Sequence, residues 1–153
     1  MRDRKGKNRL VFVVSWTAVF LWMAIIFYLS AQVATQSDEL SQGIAEKLFS
    51  VIAKAFPWLS GEYIQANFIV RKSAHFLSYL MMGLLTMNAL RRSGVKGLRL
   101  VAIAIVICVL YAISDEVHQL FVPGRSGQIK DVLIDSGGAI VGTVFHRLFE
   151  RRG

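Results

Sequence analysis

The sequence predicts an all-α membrane protein with four transmembrane helices, both termini cytoplasmic, and an amphipathic outer helix between spans one and two. Three observations lead there. Hydrophobic residues make up 54% of 153 residues, they gather in long runs, and the basic residues gather between alternate runs. A soluble helical bundle needs a polar face on each helix, and four such runs leave too little polar surface for one. The length suits a single domain covering 1–153.

The first run, Leu10 to Leu29, carries no charge over 20 residues, enough to cross a hydrocarbon core of about 30 Å. Its basic lead-in resembles that of a signal peptide, but its apolar core exceeds the roughly 7–15 residues of one, so a retained anchor is expected. The span is placed at about 10–30. Phe76 to Leu90 forms the second span, reaching back past Arg71, Lys72 and His75 to about residue 66. Leu100 to Ser114 begins the third, which extends to about 121. Val132 to Phe149, interrupted by Asp135, gives the fourth at about 131–149. The lone Cys108 lies mid-span and excludes an internal disulfide or a thiolate metal site.

The connection from 31 to 67 is too long for a simple hairpin. Leu40, Ile44, Leu48, Phe49, Ile52 and Phe56 recur at helical spacing, with Glu46, Lys47 and Lys54 on the other face. Ser37 is a candidate N-cap, Pro57 ends the pattern, and Trp58 suits headgroup depth. The expectation is a helix over about 37–56, lying on the membrane or over the bundle, as a lid or as a plain connector.

A formal charge of +8 raises the question of nucleic acid, but its distribution argues for a membrane topology instead. Arg2, Arg4, Lys5, Lys7 and Arg9 precede the first span. Arg91, Arg92, Lys96 and Arg99 lie between spans two and three, and Arg147, Arg151 and Arg152 close the chain. Twelve of the 18 bases thus fall on one side, which the positive-inside rule makes cytoplasmic. It follows that Arg71, Lys72, His75, Asp115, Glu116, His118, Gln119, Arg125, Lys130, Asp131 and Asp135 share a depth just below the outer surface.

Ionisable groups in a bilayer are costly and face a protein interior or mark a function. Arg71, His75 and Tyr79 recur every four residues, with Ser78 and Met82 beside them. Tyr111, Asp115, His118 and Gln119 share a face of the third span, with Glu116 about a quarter-turn away. Asp131, Asp135, Gly138 and Gly142 line one side of the fourth, and Gly138 to Gly142 is a small-xxx-small pattern that admits a close neighbour. Pro123-Gly124 is a turn signal that could return Arg125 over the mouth of the bundle.

Three readings suit this constellation. The first is an ion-pair latch, with Arg71, Lys72 and Arg125 balancing Asp115, Glu116, Asp131 and Asp135. The second is an outward pocket in which Arg71 and Arg125 fork an anionic oxygen pair and a carboxylate accepts from an amine or hydroxyl. The third is a metal site using His75 and His118 with the acids. Asp115 and Glu116 are adjacent, however, and no H-x-x-x-H or H-E-x-x-H spacing occurs, so no metal and no cofactor are assigned. The ligand-binding residues expected are Arg71, Lys72, His75, Tyr79, Asp115, Glu116, Gln119, Arg125, Asp131 and Asp135. His75, Asp115 and Glu116 are candidates for acid–base catalysis. Ser73, Ser114 and Ser126 are nucleophile candidates by proximity alone, and His146 is expected at the surface.

The blocks RKSAHFLSY (Arg71 to Tyr79), SDEVHQLFVPGR (Ser114 to Arg125) and KDVLIDSGGAIVG (Lys130 to Gly142) resemble the VanZ-like family of small bacterial membrane proteins. FYLSAQ (Phe27 to Gln32) fits the family's opening. The resemblance covers nearly the whole chain. Family members often carry asparagine where this chain has Asp135, and the acid favours an ion pair there. The family takes its name from an accessory protein of teicoplanin resistance. The resemblance therefore implies a bacterial plasma-membrane protein of the cell envelope, contributing to glycopeptide resistance or envelope homeostasis. Its expected partners are the lipid bilayer and a lipid-linked cell-wall precursor or lipid headgroup, with no nucleic acid. Two alternatives stay open: an intramembrane hydrolase or transferase, and a scaffold whose ion pairs only lock helix packing.

Overall fold

A computed structural model describes residues 2–33, 39, 42–44, 46–47, 50 and 63–150. Four long helices account for almost all of them: α1 (Arg2–Ser30), α2 (Tyr63–Arg92), α3 (Gly97–Gln119) and α4 (Ile129–Glu150). No strand occurs among the described residues. Three helical segments, Arg9–Ser30, Gly97–Gln119 and Ile129–Phe149, are long and apolar enough to cross a membrane. α2 is not among them, because His75, Ser78 and Asn88 interrupt its apolar residues. The expected amphipathic helix at 37–56 lies largely outside the described residues; 39, 42–44, 46–47 and 50 are helical.

The turns fix how the helices lie. α2 ends in a Schellman motif: Gly94 (φ 86) sits in the left-handed region, Val95 N–H donates to Leu90 and Gly94 N–H to Arg91. α3 ends with consecutive three-residue bonds from Leu120, Phe121 and Val122. Pro123-Gly124 then forms a tight turn closed by Arg125 N–H donating to Val122. Gly124 has φ 76, the conformation that favours glycine at the third position of a type II turn. This turn sends Arg125 back toward the bundle.

α2 and α4 run parallel, with α3 as the return between them, and form the most extensive contact in the molecule. Glycine makes that approach close enough. A Cβ on Gly138 would stand 2.2 Å from the Phe76 carbonyl oxygen, one on Gly142 2.2 Å from that of Leu80, and one on Gly83 2.6 Å from that of Ala139. Each distance is far inside van der Waals contact, so the two backbones touch through missing side chains. α1 lies antiparallel to α2, where Trp22 Nε1 donates to the Ser78 carbonyl at 2.9 Å. It also meets α3, where the Tyr111 hydroxyl donates to the Met23 carbonyl at 2.6 Å.

Two apolar clusters form the interior. Ile26, Tyr79, Met82, Cys108, Ala112 and Ala139 pack toward the end that carries the charged residues, and Met87, Leu90, Leu100 and Ala104 toward the other. Cys108 is a free, buried thiol within the first of these clusters. The outward surface is greasy: Phe20, Leu21, Leu110, Leu133 and Phe145 are all exposed. Apolar exposure on this scale suits acyl chains rather than water.

Candidate functional site

The buried acids Asp115, Glu116, Asp131 and Asp135 converge with Arg71, Lys72, His75 and Arg125 on one end of the bundle, formed by the C-termini of α1 and α3 and the N-terminal portions of α2 and α4. Lys72 on α2 pairs with Asp131 on α4. One turn further along both helices, His75 Nδ1 meets Asp135 Oδ1 at 3.2 Å. Asp135 is fully buried (0% exposed), and Asp115, Glu116 and Asp131 are nearly so. Such acids persist in an apolar interior only with partners.

Glu116 is held on two sides. The main-chain N–H of Gln128, at the entry to α4, donates to its Oε2 at 2.7 Å, and Gln119 Nε2 donates to its Oε1 at 3.2 Å. Gln119 also reaches Asp115 Oδ2 at 3.5 Å. The 116–128 contact requires the loop to press on α3, and Gly127 permits it: a Cβ there would lie 2.5 Å from the Glu116 carbonyl oxygen. Arg125 Nη1 donates to the Ser30 carbonyl at 3.0 Å, tying the loop to the end of α1.

Between α1 and α2 lies a cavity of about 320 Å³. Its walls are apolar, from Ile26, Leu29, Val70 and Ala74. Its polar lining is Arg71, His75, Ser78, Tyr79, Asp115 and Arg125, with Ser30 and Gln32 from α1 and its end. Ile44, from the partly described connection, also borders it.

Of the ten expected ligand-binding residues, Arg71, His75, Tyr79, Asp115 and Arg125 line this cavity. Lys72 instead borders a shallower depression on the far side of α2, with Phe68 and Phe76. Glu116, Gln119, Asp131 and Asp135 stand behind the cavity, packed between helices. Sequence spacing turned Glu116 away from the shared face of α3; in the fold that quarter-turn points it at α4, where Asp135 waits. His118 makes a ring contact with Phe27, at a centroid distance of 4.2 Å. Ser73, Ser114 and Ser126 are exposed, and the Ser114 hydroxyl donates back to the Tyr111 carbonyl. His146, expected at the surface, is half-buried.

Sequence reasoning passed over Ser30. Its hydroxyl is buried with no hydrogen-bond partner among the described residues, as are Tyr79 Oη and Asp115 Oδ1. Ser30 approaches Asp115 without reaching hydrogen-bond geometry. The Ser-Ala-Gln end of α1 was the available signal, since a hydroxyl closing a span next to a charged loop has few partners in lipid. Orphaned hydroxyls cost stability unless something meets them. Tyr79→Phe is therefore expected to leave thermal unfolding in detergent unchanged or to raise stability by about 0.5–1 kcal/mol.

Apolar outer faces on long helices, around an interior that carries the ionisable groups, define a multi-pass α-helical membrane protein. The model of the VanZ/LLP1 family matches residues 15–150, and the chain belongs to that family. No match was found among curated proteins or among solved structures.

Proposed function

We propose that this VanZ-family protein spans the bacterial plasma membrane four times with both termini cytoplasmic, and that its charged end faces outward. There it engages a lipid-linked cell-wall precursor or a lipid headgroup, and so contributes to teicoplanin-type glycopeptide resistance or to envelope homeostasis. The charge asymmetry of the loops supports the orientation. α2 supplies the fourth span, with Lys72 and His75 turned toward α4.

The cavity carries the functional reading. Apolar walls beside a cluster of bases, acids and a histidine suit an amphiphile: chain against Ile26, Leu29 and Val70, anionic or hydroxylated head against Arg71, Arg125 and Asp115. Ile44 at its border supports a lid role for the connection. His75→Ala and Glu116→Gln are expected to abolish any effect on teicoplanin susceptibility in an expressing strain while membrane abundance is kept. Full activity of both variants would sink the pocket. Loss of thermal stability in parallel with activity would favour the scaffold instead, which the Lys72–Asp131 and His75–Asp135 pairs recommend. An enzyme acting on a lipid-linked precursor would reveal itself by product formation with purified protein, lost in the His75 variant.

A further inference from the structure

His75, Glu116 and Asp135 come from three different helices, and each offers one ligand atom such that all three lie within 4.8 Å of one another. In a metal centre with ligand distances near 2.0–2.2 Å, neighbouring donors stand roughly 3–4 Å apart. The His75–Asp135 separation of 3.2 Å already meets this, and small side-chain rotations bring in Glu116.

The trio's own contacts leave room for a cation. Lys72, the lysine closest in sequence, is occupied by Asp131. The donors to Glu116 are neutral: the Gln128 main-chain N–H and the Gln119 amide. Each uses one lone pair of a carboxylate oxygen and leaves another free, so they orient the group as outer partners of a metal ligand do. Beside the trio stand two buried atoms with no hydrogen-bond partner among the described residues, Asp115 Oδ1 and Tyr79 Oη, on residues only 2% and 1% exposed. Both residues line the same cavity as His75.

We propose that His75, Glu116 and Asp135 bind a first-row divalent cation, Zn2+ or Mn2+, with Asp115 and Tyr79 hydrogen-bonding a ligand or a coordinated water. One imidazole among several carboxylates selects these ions over Mg2+ and Ca2+, which take all-oxygen shells. The doubly positive ion balances carboxylates that the apolar interior otherwise penalises. The inference goes beyond the amphiphile reading and does not require it.

The test uses the full chain in detergent or nanodiscs, stripped with chelator and re-equilibrated with Zn2+ or Mn2+ alone, with retained metal measured by elemental analysis. Wild type should hold about one ion per chain, and Co2+ in its place should give visible bands of nitrogen–oxygen coordination. Glu116→Gln and Asp135→Asn should each weaken affinity on the order of tenfold or more, and His146→Gln, at the opposite end, should leave it unchanged. Helical circular dichroism confirms that each variant is folded; if Asp135→Asn is not, Glu116→Gln and the Co2+ spectrum of wild type still decide. A wild-type chain that retains no ion, or one whose uptake Glu116→Gln leaves intact, overturns the proposal. Lipid binding measured on stripped and loaded protein tests the amphiphile reading separately, so either can fail alone.

Discussion

Gly138→Ala and Gly142→Ala are each expected to destabilise the protein by about 2–3 kcal/mol, near the upper end of what overpacking costs. The added methyl group would sit 2.2 Å from a carbonyl oxygen of α2 in either case. A backbone carbonyl cannot rotate away as a flexible side chain can, so relief requires α2 and α4 to separate. Separation removes the packing that holds them together, since helices in lipid gain no hydrophobic drive for association and depend on close contact. The double variant should cost less than the sum of the two, because a gap opened by one methyl group accommodates the other one turn along. Thermal or denaturant unfolding in detergent, followed by helical circular dichroism, measures both effects. Gly43→Ala, where nothing lies within 4 Å of the new carbon, is the matched control.

Why some of this was legible in the sequence and some was not follows from the range of each interaction. Runs of apolar residues report the solvent of a helix directly, so the all-helical, membrane-embedded character could be read from composition and spacing. The glycines at 138 and 142 lie one turn apart on a single helix, and such a local pattern announces a close neighbour; it does not say which helix approaches. The partnership of Glu116 was hidden, because local spacing shows only that its side chain points away from Asp115. Whether that direction meets lipid, solvent or Asp135 depends on where α4 crosses, and that depends on the Pro123-Gly124 turn and the Gly127 contact together. The same holds for the trio of His75, Glu116 and Asp135: no segment contains two of its members at a metal-binding interval, and parallel packing of α2 and α4 brings them together. His118 shows the converse. Its chemistry and spacing nominated it, and a ring contact with Phe27 from α1 claimed it.

Lys72→Met is expected to cost about 1–3 kcal/mol, and adding Asp131→Leu should restore most of the loss. The side chains of Lys72 and Asp131 are 17% and 7% exposed, so removing the lysine leaves an acid mostly out of water with its nearest counter-charge gone. The position of Asp131 in the first turn of α4 softens the penalty, because the helix N-terminus favours an anion. Replacing both partners with apolar groups removes the stranded charge as well as the bond, and such replacements are commonly neutral or better. The consequence for the site comes from register. Lys72 and His75 are one turn apart on α2, Asp131 and Asp135 one turn apart on α4, and the helices are parallel, so the outer pair sets the distance across the inner one. Lys72→Met should therefore weaken unfolding resistance and metal retention together, and the double variant should recover both. His75→Gln, which keeps a hydrogen-bond donor for buried Asp135, and Glu116→Gln should each weaken retention with stability largely kept. That separation, measured on the same four proteins, distinguishes a pair that positions the cluster from the residues that make it up.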